Sequence, residues 1–158
     1  MNVIETNWDA LSKWDTRFME LAMHVAEWSK DPSTKVGSVI VAPDRRIMSL
    51  GYNGFPRGVA DLEERLNDRP TKYAFVAHAE RNALDNVDSS MRGCILYSTL
   101  QPCAECTKSI VQRGITKVVT LIDKKRAADH YATFLKYSLV MMKEAGVEVV
   151  LIDNTPLD

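Results

Sequence analysis

Cys94-Ile95-Leu96-Tyr97-Ser98-Thr99-Leu100-Gln101-Pro102-Cys103-Ala104-Glu105-Cys106 runs from an apolar, β-prone stretch into the start of a helix. Its first five residues predict a strand. Pro102 fits the first turn of a helix that continues through Ile110 and Val111. Cys103 and Cys106 then fall at i and i+3 on one side of that turn. The partial positive charge of a helix N-terminus lowers the pKa of a thiol, so the pair is suited to binding a metal as thiolates. Upstream, His78-Ala79-Glu80 opens a second predicted helix that runs through Leu84. His78, Cys103 and Cys106 supply three zinc ligands and leave the fourth position open for water, as in catalytic sites. Zinc brings the pKa of a bound water to about 7. Glu80, a carboxylate two residues from a ligand, is suited to carry protons as base and then as acid.

A Cys-x-x-Cys pair by itself also fits a redox pair or half of a structural zinc cluster. A structural site requires a fourth protein ligand, and the candidates are Cys94, His24 and His130. Cys94 sits in the apolar run and reads as a buried small hydrophobe. His24 and His130 fall within amphipathic patterns and read as ordinary helix residues.

The rest of the chain alternates between the two periodicities. Trp14, Phe18, Leu21, Ala22 and Val25 recur at helical spacing, which predicts an amphipathic helix over about residues 8–28, ended by Asp31-Pro32. Residues 36–41 and 47–52 predict two strands joined by a turn at Pro43-Asp44. A polar connection follows from Asn53 to about Lys72, and a connection so long inside a compact domain is usually functional or disordered. Further strands are expected over residues 94–98, 117–122 and 147–152. Between the last two, Tyr131, Phe134, Leu135, Ser138, Leu139 and Met142 trace a helix face closed by Gly146. Five strands alternating with helices predict an α/β sandwich around a mixed five-stranded sheet, with the metal site built at two helix N-termini.

The 158 residues predict one domain spanning the whole chain, large enough for a core without disulfides. Two of the three cysteines belong to the metal motif, so no structural bridge is expected and a reducing, cytoplasmic setting is implied. No apolar run approaches membrane-spanning length. The formal net charge of -1 does not mark a nucleic-acid binder. The densest basic run, Asp123-Lys124-Lys125-Arg126, reads as a solvated loop.

His-x-Glu followed by Pro-Cys-x-x-Cys is the signature of the zinc deaminases, and the chain resembles the cytidine deaminase-like superfamily. Within it, the resemblance to deoxycytidylate (dCMP) deaminases covers nearly the whole length. Ser29-Lys30-Asp31-Pro32 followed by Val36-Gly37 is similar to that family's first helix end and first strand. Gly51-Tyr52-Asn53-Gly54-Phe55-Pro56 looks like its Gly-Tyr-Asn-Gly-x-Pro element, and residues 72–80 resemble its approach to the zinc histidine.

The resemblance implies a three-layer α/β/α sandwich, with zinc on His78, Cys103 and Cys106 and Glu80 as proton shuttle. It implies Asn53 as a contact to the nucleoside, and Ser29 and Lys30 as contacts near the 5′-phosphate. It also implies hydrolysis of dCMP to dUMP and ammonia, assembly into a homo-oligomer, in the family a hexamer, and dCTP and dTTP as effectors. The chain departs from the family at residues 125–131, where many members carry a Tyr-His-Asp-like segment. Two other readings stay open: deamination of a different substrate, whether a free base, a nucleoside or tRNA adenosine, and a non-catalytic zinc module that binds nucleotides. Glu80 speaks against the second, since a structural zinc site has no use for a carboxylate beside its water position.

Overall fold

The structure is a computed structural model that describes residues 3–122 and 132–154. The basic run after Ile122 and the departing segment at 125–131, with His130 and Tyr131, lie outside these residues. Six strands form one mixed sheet: β1 (Val3–Asn7), β2 (Gly37–Val41), β3 (Ile47–Tyr52), β4 (Ile95–Ser98), β5 (Lys117–Ile122) and β6 (Glu148–Asp153). Their order across the sheet is β1-β6-β5-β4-β2-β3. β4, β5, β6 and β1 are mutually parallel, while β2 runs antiparallel to both β4 and β3.

The sheet therefore has one strand more than the five expected. Val3-Ile4-Glu5-Thr6-Asn7 shows no clean alternation, because as an edge strand it is held by backbone pairing with β6, Ile4 and Glu5 being exposed. Only Val3 packs into the core.

Alternate residues of the inner strands feed two cores. Val119, Leu121, Val150 and Ile152 face α1 (Lys13–Ala26), whose Phe18, Met19 and Ala22 cover that side. Leu96, Val118, Val149 and Leu151 face the opposite layer. That layer comprises α4 (Ala79–Asp85), α5 (Ala104–Gln112) and α6 (Ala132–Glu144), contributing Leu84, Ile110 and Met142. This is the three-layer α/β/α sandwich.

Local chemistry trims the expected helices. The first begins later than residue 8, because Ser12 caps it by accepting from the Asp15 N–H at 3.1 Å. Residues 8–10 form a separate 3₁₀ turn. Pro102 precedes the first turn of α5 instead of lying within it, and Cys103 is the N-cap. Gly146, at φ 77°, closes α6 as expected: its N–H reaches the Lys143 carbonyl, and the Val147 N–H reaches Met142 O at 2.8 Å. The polar connection folds into two short helices, α2 (Glu63–Leu66) and α3 (Arg69–Phe75). The ring of Phe75 meets that of Phe55 edge-on, with 5.5 Å between centroids.

α4 lies on β3 with no side chain between their backbones at Gly51. A Cβ on Gly51 would stand 2.4 Å from both Ala79 O and Ala83 N. Ser49 Oγ donates to Ala83 O at 2.7 Å, and Asn82 Nδ2 donates to Tyr52 O at 2.7 Å, fixing the helix along the strand. Gly51→Ala is therefore expected to destabilise the fold by about 1–3 kcal/mol, the cost of overpacking. Gly54→Ala, whose Cβ would meet only Tyr52 Cε2 at 3.9 Å, is expected to have little effect. Urea midpoints check both, and an unshifted midpoint for Gly51→Ala refutes the close contact.

Candidate active site

His78 and Cys103 occupy equivalent places, each the N-cap of a helix on the same face of the sheet. Gly54 and Ala77 exchange both backbone hydrogen bonds, at 3.1 and 2.8 Å, which fastens the Asn53 loop beside His78. Cys106 follows one turn into α5. Thr107 holds the cap from behind: its hydroxyl donates to Cys103 O at 2.8 Å and lies 2.7 Å from the Ser138 hydroxyl of α6.

The two sulfurs converge on one nitrogen. Cys103 Sγ lies 3.5 Å and Cys106 Sγ 3.4 Å from His78 Nδ1, and the three donor atoms fall within 4.8 Å of one another. Two soft thiolates and an imidazole suit zinc, and distances of this size suit donors shared by one ion about 2.0–2.3 Å from each. Among the described residues these are the only three that could hold a metal together. Cys94 is buried in the core, where burial pushes its thiol up, and His24 is on α1, so neither supplies a fourth ligand.

Electrostatics separates the two thiols. A side-chain hydrogen bond from Cys106 draws the Cys103 thiol down to about 4, against burial and helped by His78 and the Cys106 N–H. The same hydrogen bond, with burial, pushes Cys106 up. His78 is raised, chiefly by its hydrogen bond with Cys103.

Glu80 is 4% exposed, and burial raises its pKa. The hydroxyl of Ser98, at the carboxyl end of β4, opposes that shift from 2.7 Å away. The same hydroxyl lies 2.8 Å from Leu100 O and receives Ser38 Oγ at 3.3 Å. Ser98 has one hydrogen, so it can donate to Glu80 when the carboxylate is ionised and to Leu100 O when Glu80 is itself the donor. Ser98 can therefore bond Glu80 in either state. Ser98 had no signal in the sequence beyond closing a strand.

A cavity of about 360 Å³ opens in front of these groups, within the range of small-molecule sites. His78, Glu80 and Cys103 line it, together with apolar Val36, Val76, Leu100, Ile122 and Leu135. Asn53 also lines it and is buried. Its Oδ1 accepts from Val36 N and its Nδ2 donates to Thr34 O, both at 2.8 Å, leaving one amide hydrogen for a ligand.

Ser29 and Lys30 do not line this cavity. Ser29 is buried, its hydroxyl donating to Asn53 O at 2.8 Å and accepting from Asp31 N at 3.2 Å. Lys30 is exposed and paired with Asp61 at 2.9 Å. Among the described residues the cation on the cavity wall is Lys72, at the end of the expected polar connection.

The chain matches the family described as the cytidine and deoxycytidylate deaminase zinc-binding region over residues 12–122. It is 39% identical over 148 residues to an uncharacterized deaminase of Aliivibrio fischeri, covering 94% of this chain and 97% of that one. It is 42% identical over 145 residues to the deoxycytidylate deaminase of Mus musculus, covering 88% and 79%. Among solved structures it is similar to the dCMP deaminase of cyanophage S-TIM5 in complex with dCMP and dUMP. That match has a TM-score of 0.66 and 27% identity, covering 85% of this chain and 93% of that one.

The lowered Cys103 has a direct chemical readout. In protein stripped of metal by a chelator, alkylation of Cys103 by iodoacetamide is expected to stay nearly constant from pH 8 to 6. An ordinary thiol, with a pKa of about 8.5, loses roughly 10²-fold of its thiolate over that interval. Peptide mapping by mass spectrometry follows the site, and a steep fall in rate toward pH 6 would contradict the hydrogen bonding described.

Proposed function

The chain belongs to the cytidine and deoxycytidylate deaminase zinc-binding family, and we propose that its reaction is dCMP plus water to dUMP plus ammonia, with His78, Cys103 and Cys106 as zinc ligands and Glu80 as proton carrier. Zinc is the cofactor, and when bound it supplies a Lewis acid that lowers the pKa of a water to about 7. The observation that carries the reading is a His-Cys-Cys donor set within 4.8 Å, with a buried carboxylate two residues from the histidine, on the wall of one cavity.

The chain's own groups divide the remaining work. Val36, Val76, Leu100, Ile122 and Leu135 offer an apolar slot for a flat pyrimidine and keep bulk water from the reacting carbon. Asn53 offers its free amide hydrogen to the nucleoside. Glu80 takes a proton from the attacking water and delivers it to N3 of the ring; it then takes the second proton of that oxygen and gives it to the 4-amino group, which leaves as ammonia while the C4 carbonyl forms. Burial favours the protonated carboxyl and Ser98 favours the ionised one, so Glu80 can hold the proton between transfers without a large cost either way. His78 turns Nδ1 toward both sulfurs, which supports Nδ1 as its ligand atom.

Among the described residues no helix is long and apolar enough to cross a membrane, and a cytoplasmic location is part of the same proposal. So is self-association, hexameric in form. It is supported by Trp28 and Tyr52, whose rings meet edge-on with 6.1 Å between centroids and stand 49% and 41% exposed. Control by dCTP and dTTP completes the proposal on the strength of the Gly-Tyr-Asn-Gly element alone.

Ammonia release from dCMP, compared with CMP, deoxycytidine and cytosine, tests the substrate, and turnover of another compound in preference to dCMP refutes it. Glu80→Gln is expected to keep its zinc while kcat falls at least about 10²-fold. Zinc lost from that variant would make Glu80 a ligand instead. Cys103→Ala and Cys106→Ala are each expected to lose both zinc and activity, since two remaining ligands do not hold the ion. Metal analysis finding full zinc in both would remove the ligand assignment.

A further inference from the structure

Cys103 and Cys106 differ in what can reach them. Cys103 is half-buried and lines the cavity, whereas Cys106 is buried and is not on the cavity wall. Cys103 is the N-cap of α5 and accepts the Cys106 N–H at 3.5 Å. The two side chains are hydrogen-bonded to one another, and both sulfurs stand within 3.5 Å of His78 Nδ1. An accessible sulfur at a helix N-terminus, with a shielded sulfur three residues on, is the arrangement of a disulfide-forming Cys-x-x-Cys pair.

The surroundings favour closure of this pair over any other. Cys94, the remaining cysteine of the chain, is buried in the core with Leu96, Ile110 and Ile115. Thr107 keeps hold of Cys103 O through its N–H at 2.9 Å and its hydroxyl at 2.8 Å. A disulfide bond is about 2.0 Å long, and sulfurs already in hydrogen-bond contact can close to it by side-chain rotation while the backbone stays capped. The cavity of about 360 Å³ gives a small oxidant access to Cys103.

We propose that Cys103 and Cys106 form a reversible modification site, at which a hydroperoxide entering the cavity converts them to a disulfide and so takes both sulfurs from the metal. This inference rests on the zinc-ligand reading above. The Cys103 thiolate attacks one oxygen of the peroxide, the O–O bond breaks, hydroxide leaves, and Cys103 becomes a sulfenic acid. The Cys106 sulfur then attacks the Cys103 sulfur. The S–O bond breaks, and the departing hydroxide leaves as water with the Cys106 thiol proton. Each sulfur loses one electron to the bond, and each peroxide oxygen gains one. His78 alone does not hold zinc. A dithiol reverses the step by exchange, itself ending as the disulfide.

The test treats zinc-loaded protein with hydrogen peroxide beside a chromogenic zinc chelator, and reads the Cys103–Cys106 peptide by mass spectrometry. Release of about one zinc per chain is expected, with that peptide lighter by two hydrogens. Dithiothreitol followed by zinc is expected to restore both thiols and metal. In metal-free Cys106→Ser, dimedone is expected to trap the Cys103 sulfenic acid, which in the metal-free unmodified protein passes on to the disulfide instead. Zinc released with Cys103 found as sulfinic or sulfonic acid, a disulfide joining two chains, or both thiols intact in peroxide-treated metal-free protein overturns the modification site. Failure of the untreated protein to take up zinc overturns the ligand reading instead, whereas the disulfide in metal-free protein tests the pair by itself.

Discussion

The backbone-to-backbone contact of α4 with β3 at Gly51 is the constraint on which the site depends. With no Cβ between them, the helix sits low on the sheet, and its first turn carries Glu80 down to Ser98 at the end of β4. A helix held off by even a methyl group would lift Glu80 from that hydroxyl and swing His78 away from α5. Gly37 plays the same part on the opposite face, where a Cβ would stand 2.0 Å from Ala22 O. Two thin places in one hairpin therefore set the spacing of two of the three layers.

Burial gives the site its chemistry. An exposed glutamate would stay ionised near neutral pH and would hold a proton poorly. Glu80, withdrawn from water and paired with a hydroxyl that can donate or accept, can exist in either state. Cys103 shows the opposite effect: as an N-cap accepting the Cys106 N–H, it is held as a thiolate by hydrogen bonds that outweigh the cost of burial. Burial raises one group's readiness to carry a proton, while hydrogen bonds at a helix start lower another's.

The connection between β3 and α4 converts length into walls. Phe55 against Phe75, Lys30 against Asp61 and Lys72 against Asp31 tie it down, and Lys72, Tyr73 and Val76 from it line the cavity. The last pair is nearly dry, its side chains 5% and 9% exposed, and breaking such a pair costs about 3–5 kcal/mol. The surface pair Lys30–Asp61 contributes little by comparison. A segment that is polar in sequence thus supplies both an anchor and a binding wall.

The sequence by itself determined the alternating strands and helices, the fixed ends of β3 and β5, the glycine stop of α6, and the His-Glu-Cys-Cys constellation. These features are local: periodicity, turn chemistry and ligand spacing act within a few residues. Tertiary structure alone decided the rest. β1 exists because β6 offers it a backbone edge, which no pattern within Val3–Asn7 encodes. Asn53 lines the cavity, whereas Ser29 and Lys30 do not, because the turn at Asp31 points one inward to backbone and the other outward to Asp61. Lys72 and Ser98 lie 41 and 18 residues from Asp31 and Glu80, the carboxylates that they serve. Only the folded chain brings such partners within hydrogen-bond reach, because burial and charge pairing depend on distance in space and not on separation along the sequence.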